Sequence, residues 1–184
     1  MKHLVILGAG TAGTMMANHL SHHLKRPDWR ISIIDERTEH HYQPGYLFLP
    51  FDIYEPEDIV KSIQEFIPKT VDLIQASIDR IVPAENKVMM TDGSVVVYDV
   101  MIVATGAKIA PEETEGMMGS EWHQSVFDFY TFEGALNLRN KLRDWKGGKL
   151  VVHITEMPIK CPVAPLEFAF LADSFFKNKH MRDK

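Results

Sequence analysis

Unbroken apolar runs and alternating stretches follow one another along this chain in a definite order. Leu4, Val5, Ile6 and Leu7 form a continuous apolar run, as expected of a strand buried on both faces of a parallel sheet. A glycine-rich turn follows, then a segment predicted to be helical, then a second apolar run at Ile31–Ile34. Residues 71–98 read differently, as several short strands with turns at PAEN and TDG, which predicts a β-meander rather than another βα unit. The meander leads into a further apolar strand, Val100–Val103. Residues 131–145, TFEGALNLRNKLRDW, have the spacing of an amphipathic helix, with Gly147-Gly148 ending it. Lys149–Ile154 is predicted to be a strand opening a second unit, and CPVAPLEFAFLADSFF to be the helix that follows. The fold class is therefore α/β, with a Rossmann-like parallel sheet plus meander followed by the start of a second Rossmann-like domain.

The first turn carries specific chemistry. Gly8, Gly10 and Gly13, with Ala12 among them, have G-x-G-x-x-G spacing between a strand and a helix. The first glycine permits the tight turn, the second lets a pyrophosphate approach the backbone, and the third lets the helix pack closely on the strand. The helix N-terminus then offers free N–H groups and a partial positive charge to phosphates. Asp35 follows the second strand about twenty residues after the last glycine, where an acid holds a ribose. Glu36 is the neighbouring candidate, and Asp35 is favoured because it directly follows the strand. Together these residues predict a dinucleotide site. Ala104-Thr105-Gly106, closing the strand after YDVMIV, resembles the second cofactor motif of the two-dinucleotide-binding flavoproteins. That resemblance implies FAD rather than NAD at the first site.

Composition narrows the classes without choosing among them. The chain has 184 residues, 45% hydrophobic and 24% charged, and a formal net charge of −5 that gives no reason to expect nucleic acid. A single cysteine excludes a disulfide framework and a paired-cysteine redox centre within the chain, and fits a reducing compartment. MKHLVILGAG runs from Met1 straight into a strand with no signal-peptide pattern, and no apolar run is long enough to cross a bilayer. A cytoplasmic protein is expected, with peripheral contact on the inner face of a membrane left open.

At the second strand-turn the glycines are gone. The sequence there reads T-E-M-P-I-K-C-P-V-A-P, with no glycine from Lys149 onward. Without small residues a backbone cannot approach a pyrophosphate, so this unit is expected to keep the fold and lack a nicotinamide site. Cys161 stands in its place. Pro162 and Pro165 suit a helix's first turn, which puts the thiol at or before a helix N-terminus. The helix end and the adjacent Lys160 favour a negatively charged sulfur there. The competing reading is a small buried apolar cysteine.

GAGTAG, IIDERTEHHYQP, YDVMIVATGAK and CPVAPLEFAFLAD together resemble the sulfide:quinone oxidoreductases and the related flavocytochrome sulfide dehydrogenases, over essentially the whole chain. The resemblance implies an FAD enzyme that oxidises sulfide to sulfur or polysulfide through a cysteine persulfide and passes electrons to a quinone. It implies Cys161 as the persulfide-forming thiol and Glu167 as a proton acceptor. Gly8, Gly10, Ala12 and Gly13 would hold the pyrophosphate and Asp35 or Glu36 the ribose. Pro44 would lie on the flavin side, Ser77 and Ile78 near the adenine, and Thr105, Gly106 and Lys108 near the cofactor. It divides the chain into an FAD-binding domain over 1–110, incomplete without a closing segment, and the start of a second, NAD-like domain over 111–184. The family's partner cysteine, quinone site and membrane contact are expected beyond Lys184, so that this chain by itself would not turn over. A second cysteine that several members carry near HQSVFDFYTF is absent here. A homo-oligomer is left open. The alternatives are a type II NADH:quinone oxidoreductase-like flavoprotein, which should carry a second glycine turn, and a non-catalytic FAD-binding or sulfur-carrying remnant.

Other features are read as structural. Adjacent histidines, His22-His23 and His40-His41, point in different directions with no third-ligand pattern, so no metal site is expected. Tyr46, Leu47, Phe48, Leu49 and Phe51 are read as interdomain core, and the acidic run PEETEG as a solvated linker.

Overall fold

Parallel strands buried on both faces need continuous apolar sequence, and that requirement places the first elements of the computed structural model, which describes residues 1–184. In chain order the elements are β1 (Lys2–Leu7), α1 (Thr11–His23), β2 (Trp29–Asp35), β3 (Glu39–His41), α2 (Pro56–Ile59), β4 (Val60–Ser62), β5 (Asp72–Gln75), β6 (Ile78–Val82), β7 (Lys87–Met90), β8 (Val95–Val97), β9 (Val100–Val103), α3 (Phe132–Arg143) and α4 (Ala164–Asn178). Contacts divide them into two compact units, Met1–His41 with Val60–Lys108, and Tyr42–Ile59 with Ile109–Lys184.

The first unit holds a four-stranded parallel sheet in the order β5-β2-β1-β9. Leu4 pairs with Ile31 on one side and Val100 on the other. Along β1, alternate residues feed opposite cores. Leu4 and Ile6 join Ile31, Ile33, Ala17 and Ile63 on the α1 face. Val5 and Leu7 join Ile34, Val88, Met90 and Tyr98 on the other. Each fully buried aliphatic here is worth about 1.5–3 kcal/mol of transfer free energy. The three-stranded antiparallel sheet β6-β7-β8 lies in the same unit, and β7 alternates between partly and fully buried positions with the period of two expected of a one-face strand.

Two expected strands come out differently. The start of the predicted meander, β5, belongs to the parallel sheet instead, with Ser32 opposite Asp72. Leu73 packs against one core and Ile74 against the other, so this short run is covered on both faces like its parallel neighbours. Lys149–Ile154 forms no strand. It is an extended, mostly exposed segment, because no other segment of these residues pairs with it to take up its backbone hydrogen bonds. No helix is long and apolar enough to cross a membrane.

The second unit is built around α3 and α4. The Thr131 hydroxyl caps α3 by accepting from the Gly134 N–H at 3.0 Å. Along α4, Ala164, Phe168, Ala172 and Phe176 recur at four-residue spacing and form the buried stripe, packing with Leu138, Leu142 and Phe51. Phe51 and Leu47 thus lie in the core of this unit. Residues 42–59 are tied to α3 by an ion cluster. Arg139, only 4% exposed, donates Nε to Asp52 at 2.5 Å and Nη2 to Glu55 at 2.7 Å, while the half-exposed Arg143 also reaches Asp52 at 2.7 Å.

The difference in burial makes the two arginines unequal. Arg139→Met, which removes the buried cation of the cluster and leaves Asp52 with Arg143 alone, is expected to lower the unfolding free energy by about 1–3 kcal/mol. Arg143→Met should cost less than about 1 kcal/mol. Urea denaturation of both variants checks the ranking; equal losses would contradict it.

Candidate functional site

The end of β1, the start of α1 and the end of β9 meet at one point with no room for side chains. A Cβ on Gly13 would run into the Gly8 carbonyl, and a Cβ on Gly8 would lie 2.8 Å from the Ala104 carbonyl carbon and 2.9 Å from Thr105 Cα. Gly8 also has a left-handed backbone, φ +94°. The turn is held by Gly8 N–H donating to Ile34 O at 2.7 Å and Ala104 N–H donating to Leu7 O at 2.8 Å. Gly10 is the exception, since a Cβ there would meet nothing within 4 Å. The open space faces the start of α1, which has no side-chain cap and no acidic residue in its first turn. Glycine there is not demanded by the protein's own packing, whereas a phosphate approaching the helix N-terminus would need it. The residues present therefore fit a dinucleotide pyrophosphate.

The two acids at the end of β2 do different jobs. Asp35, the last residue of β2, is buried at 7% exposure, while Glu36, just past the strand, is exposed. Asp35 Oδ2 accepts from Ala9 N–H at 2.7 Å, and Oδ1 from Arg37 N–H at 2.9 Å, with the Arg37 guanidinium at 3.2–3.3 Å. Burial alone would raise the Asp35 pKa, but hydrogen bonds from the Arg37 side chain, the Arg37 N–H and the Ala9 N–H outweigh it and hold it below its ordinary 3.8. The Asp35 oxygens thus also hold the turn itself. Glu36 is the exposed acid, and the Ser77 hydroxyl donates to its Oε2 at 2.6 Å. Ile78 opens β6 directly afterwards. Beyond β9, Thr105 lies against Gly8, while Gly106, φ +78°, and Lys108 are exposed.

The thiol belongs to the second unit. Cys161 is exposed, so the buried apolar alternative does not hold. Its backbone is left-handed, φ +53°, uncommon for a residue with a side chain. Two bonds to its carbonyl hold it there, from Ala164 N–H at 3.0 Å and from the Tyr130 hydroxyl at 3.2 Å. Helix α4 starts at Ala164, so Cys161 precedes it and only Glu167 lies on it. A turn therefore lies between the two. They are nonetheless grouped around Tyr130. Partial burial first, and then the nearby charges of Cys161 and Glu167, push its hydroxyl above the ordinary 10.0. The Lys160 ammonium is directed to Gln43 Oε1, at 2.5 Å, beside the exposed Pro44. Neither Tyr130 nor Gln43 was legible as a site residue, since both act through contacts far apart in sequence.

The turn yields two expectations. Gly10→Ala should leave the melting temperature nearly unchanged and weaken dinucleotide binding, whereas Gly13→Ala should unfold or severely destabilise the protein, as read by thermal melts and FAD titration. Asp35, whose pKa is lowered on folding, contributes stability that is complete above its ordinary value and is lost as pH falls through the lowered one. Acid unfolding followed by circular dichroism should therefore lose part of its steepness below about pH 4 in Asp35→Asn.

Known proteins extend this picture. The chain is 26% identical over 182 residues to the mitochondrial sulfide:quinone oxidoreductase of Dictyostelium discoideum, covering 98% of this chain and 40% of that protein. It is 28% identical to the sulfide-quinone reductase of Aquifex aeolicus, covering 100% of this chain and 41% of the relative. The crystal structure of the sulfide:quinone oxidoreductase from Aquifex aeolicus superposes with a TM-score of 0.77 at 25% identity, over 99% of this chain and 41% of that one. The chain thus spans about two-fifths of the length of the relatives it matches. The pyridine nucleotide-disulphide oxidoreductase family pattern matches residues 2–153, which takes in the glycine turn, all three sheets and α3. With that match across most of its length, this chain belongs to the pyridine nucleotide-disulphide oxidoreductase family.

Proposed function

We propose that this chain carries the cofactor turn and the reactive thiol of an FAD-dependent enzyme that oxidises sulfide and delivers the electrons to a quinone. The observation that carries the reading is Cys161, an exposed thiol on a left-handed backbone just ahead of α4, in a chain that aligns along 98–100% of its length with sulfide-oxidising relatives. FAD, when bound, supplies a two-electron acceptor that quinone regenerates.

The chain's own residues take the following parts. Gly8, whose own N–H is bonded to Ile34 O, makes the tight turn, and Gly10, Ala12 and Gly13 would offer the backbone N–H groups at the start of α1 to a pyrophosphate. Glu36, oriented by the Ser77 hydroxyl, would hydrogen-bond the ribose, with Asp35 holding the turn. The backbone at Ile78 would flank the adenine, and Thr105, Gly106 and Lys108 would border the flavin. Cys161 Sγ would form an S–S bond with the sulfide sulfur, the two electrons lost in making that bond passing to FAD, and the exposed carboxylate of Glu167 would accept the proton released. The bonds from Tyr130 and Ala164 to the Cys161 carbonyl keep the thiol presented on the turn rather than folded into α4. The glycine-free turn from Thr155 to Pro165 supports sulfide rather than a nicotinamide as the reductant. A quinone acceptor implies that the working enzyme docks at a membrane surface.

Cys161→Ser tests the thiol directly. In the FAD-loaded protein under anaerobic conditions, the variant should retain the flavin spectrum and lose sulfide-dependent bleaching by at least about a hundredfold in rate, the scale of a lost covalent route. Bleaching at the unaltered rate would make Cys161 structural and remove the persulfide step.

A further inference from the structure

Ala9 sits between Gly8 and Gly10, and both of its backbone polar groups are held by side chains from the end of β2 and from β3. Its N–H donates to Asp35 Oδ2 at 2.7 Å in a buried bond. Its carbonyl is bonded to His40 Nδ1 at 3.2 Å. A carbonyl oxygen can only accept, so the His40 proton in this contact sits on Nδ1. The imidazole is half-buried and packed against the Phe66 ring, with centroids 4.3 Å apart, which fixes its direction.

A peptide group is planar and trans, so fixing one of its polar atoms fixes the other. The Ala9 carbonyl shares its plane with the Gly10 N–H, and the two point in opposite directions. His40 therefore sets where the Gly10 N–H points, and a bond donated to the carbonyl also polarises the group and strengthens that N–H as a donor. Asp35 does the same for the preceding plane, shared by the Gly8 carbonyl and the Ala9 N–H. The clamp acts at the one glycine of the turn whose missing side chain faces open space.

We infer that His40 is a positioning residue for the dinucleotide, fixing with Asp35 two successive peptide planes of the glycine turn so that the Gly10 N–H is aimed at the pyrophosphate. The inference rests on the FAD reading of this turn and adds a side chain to it from outside the glycine motif. It also accounts for a polar ring on β3, the short strand paired with β4, where packing on Phe66 alone would be served by any aromatic residue.

FAD titration by flavin fluorescence, on this chain, distinguishes the cases. His40→Phe keeps the aromatic packing on Phe66 and removes the donor. It should bind FAD roughly three- to tenfold more weakly than the wild type, with little change in the melting temperature of the FAD-free protein. His40→Asn, whose amide nitrogen falls near the place of Nδ1, should recover most of the loss. His40→Leu serves the same comparison if the Phe variant does not fold. Wild-type affinity in His40→Phe, or in His40→Leu, overturns the inference while leaving the FAD reading intact, and so does failure of Asn to recover binding. No FAD binding by the wild type overturns both.

Discussion

Three backbone segments share one small volume at the carboxyl edge of the parallel sheet, and the first unit is organised around that contact. The end of β1, the first turn of α1 and the Ala104-Thr105 step approach so closely that Gly8 and Gly13 admit no side chain. The closeness sets the angle at which α1 lies over the sheet, and so determines that Ala17 faces Ile31 and Ile33 in the buried core. It also gathers the helix N-terminus, its uncapped N–H groups and the exposed Glu36 on the same edge, because parallel strands all present their carboxyl ends there. Packing and ligand chemistry thus make the same demand on Gly8 and Gly13 but not on Gly10, which only the ligand needs.

The second unit solves a different problem. A thiol must be exposed yet held in one direction, and a helix would not do this, since residues within α4 are ordered by its buried stripe. Placing Cys161 before the helix on a left-handed residue, with its carbonyl bonded by Ala164 and Tyr130, frees the side chain from the helical pattern. A left-handed non-glycine residue costs of order 1–3 kcal/mol and persists only where its surroundings enforce it. The two bonds to its carbonyl enforce it, and the buried stripe from Ala164 to Phe176 anchors the helix that follows.

Much of this was legible in the sequence wherever a local pattern has one physical outcome. The run at Leu4–Leu7, the glycine spacing, the strand at Val100–Val103 and the helix after Thr131 all follow from burial on two faces, backbone approach or helical periodicity. What was hidden depended on partners distant in the chain. Asp72–Gln75 reads like any short apolar strand until Leu73 and Ile74 are seen to face different cores. Lys149–Ile154 has strand composition but no neighbour to pair with. Asp35 and Glu36 are adjacent acids, and only the folded chain shows the first buried at the end of β2 and the second exposed beyond it. The parts of Arg139, Tyr130 and His40 are set by bonds across 84, 31 and 31 positions, and no local motif announces them.

The central claim is that sulfide, not a nicotinamide, reduces a flavin held at the glycine turn. An anaerobic absorbance titration of the FAD-loaded protein tests it most directly, with sulfide added to one sample and NADH to another. Bleaching of the flavin band by sulfide and not by NADH is the predicted result. Bleaching by NADH alone would contradict the account, since a turn without glycines would then be admitting a nicotinamide dinucleotide.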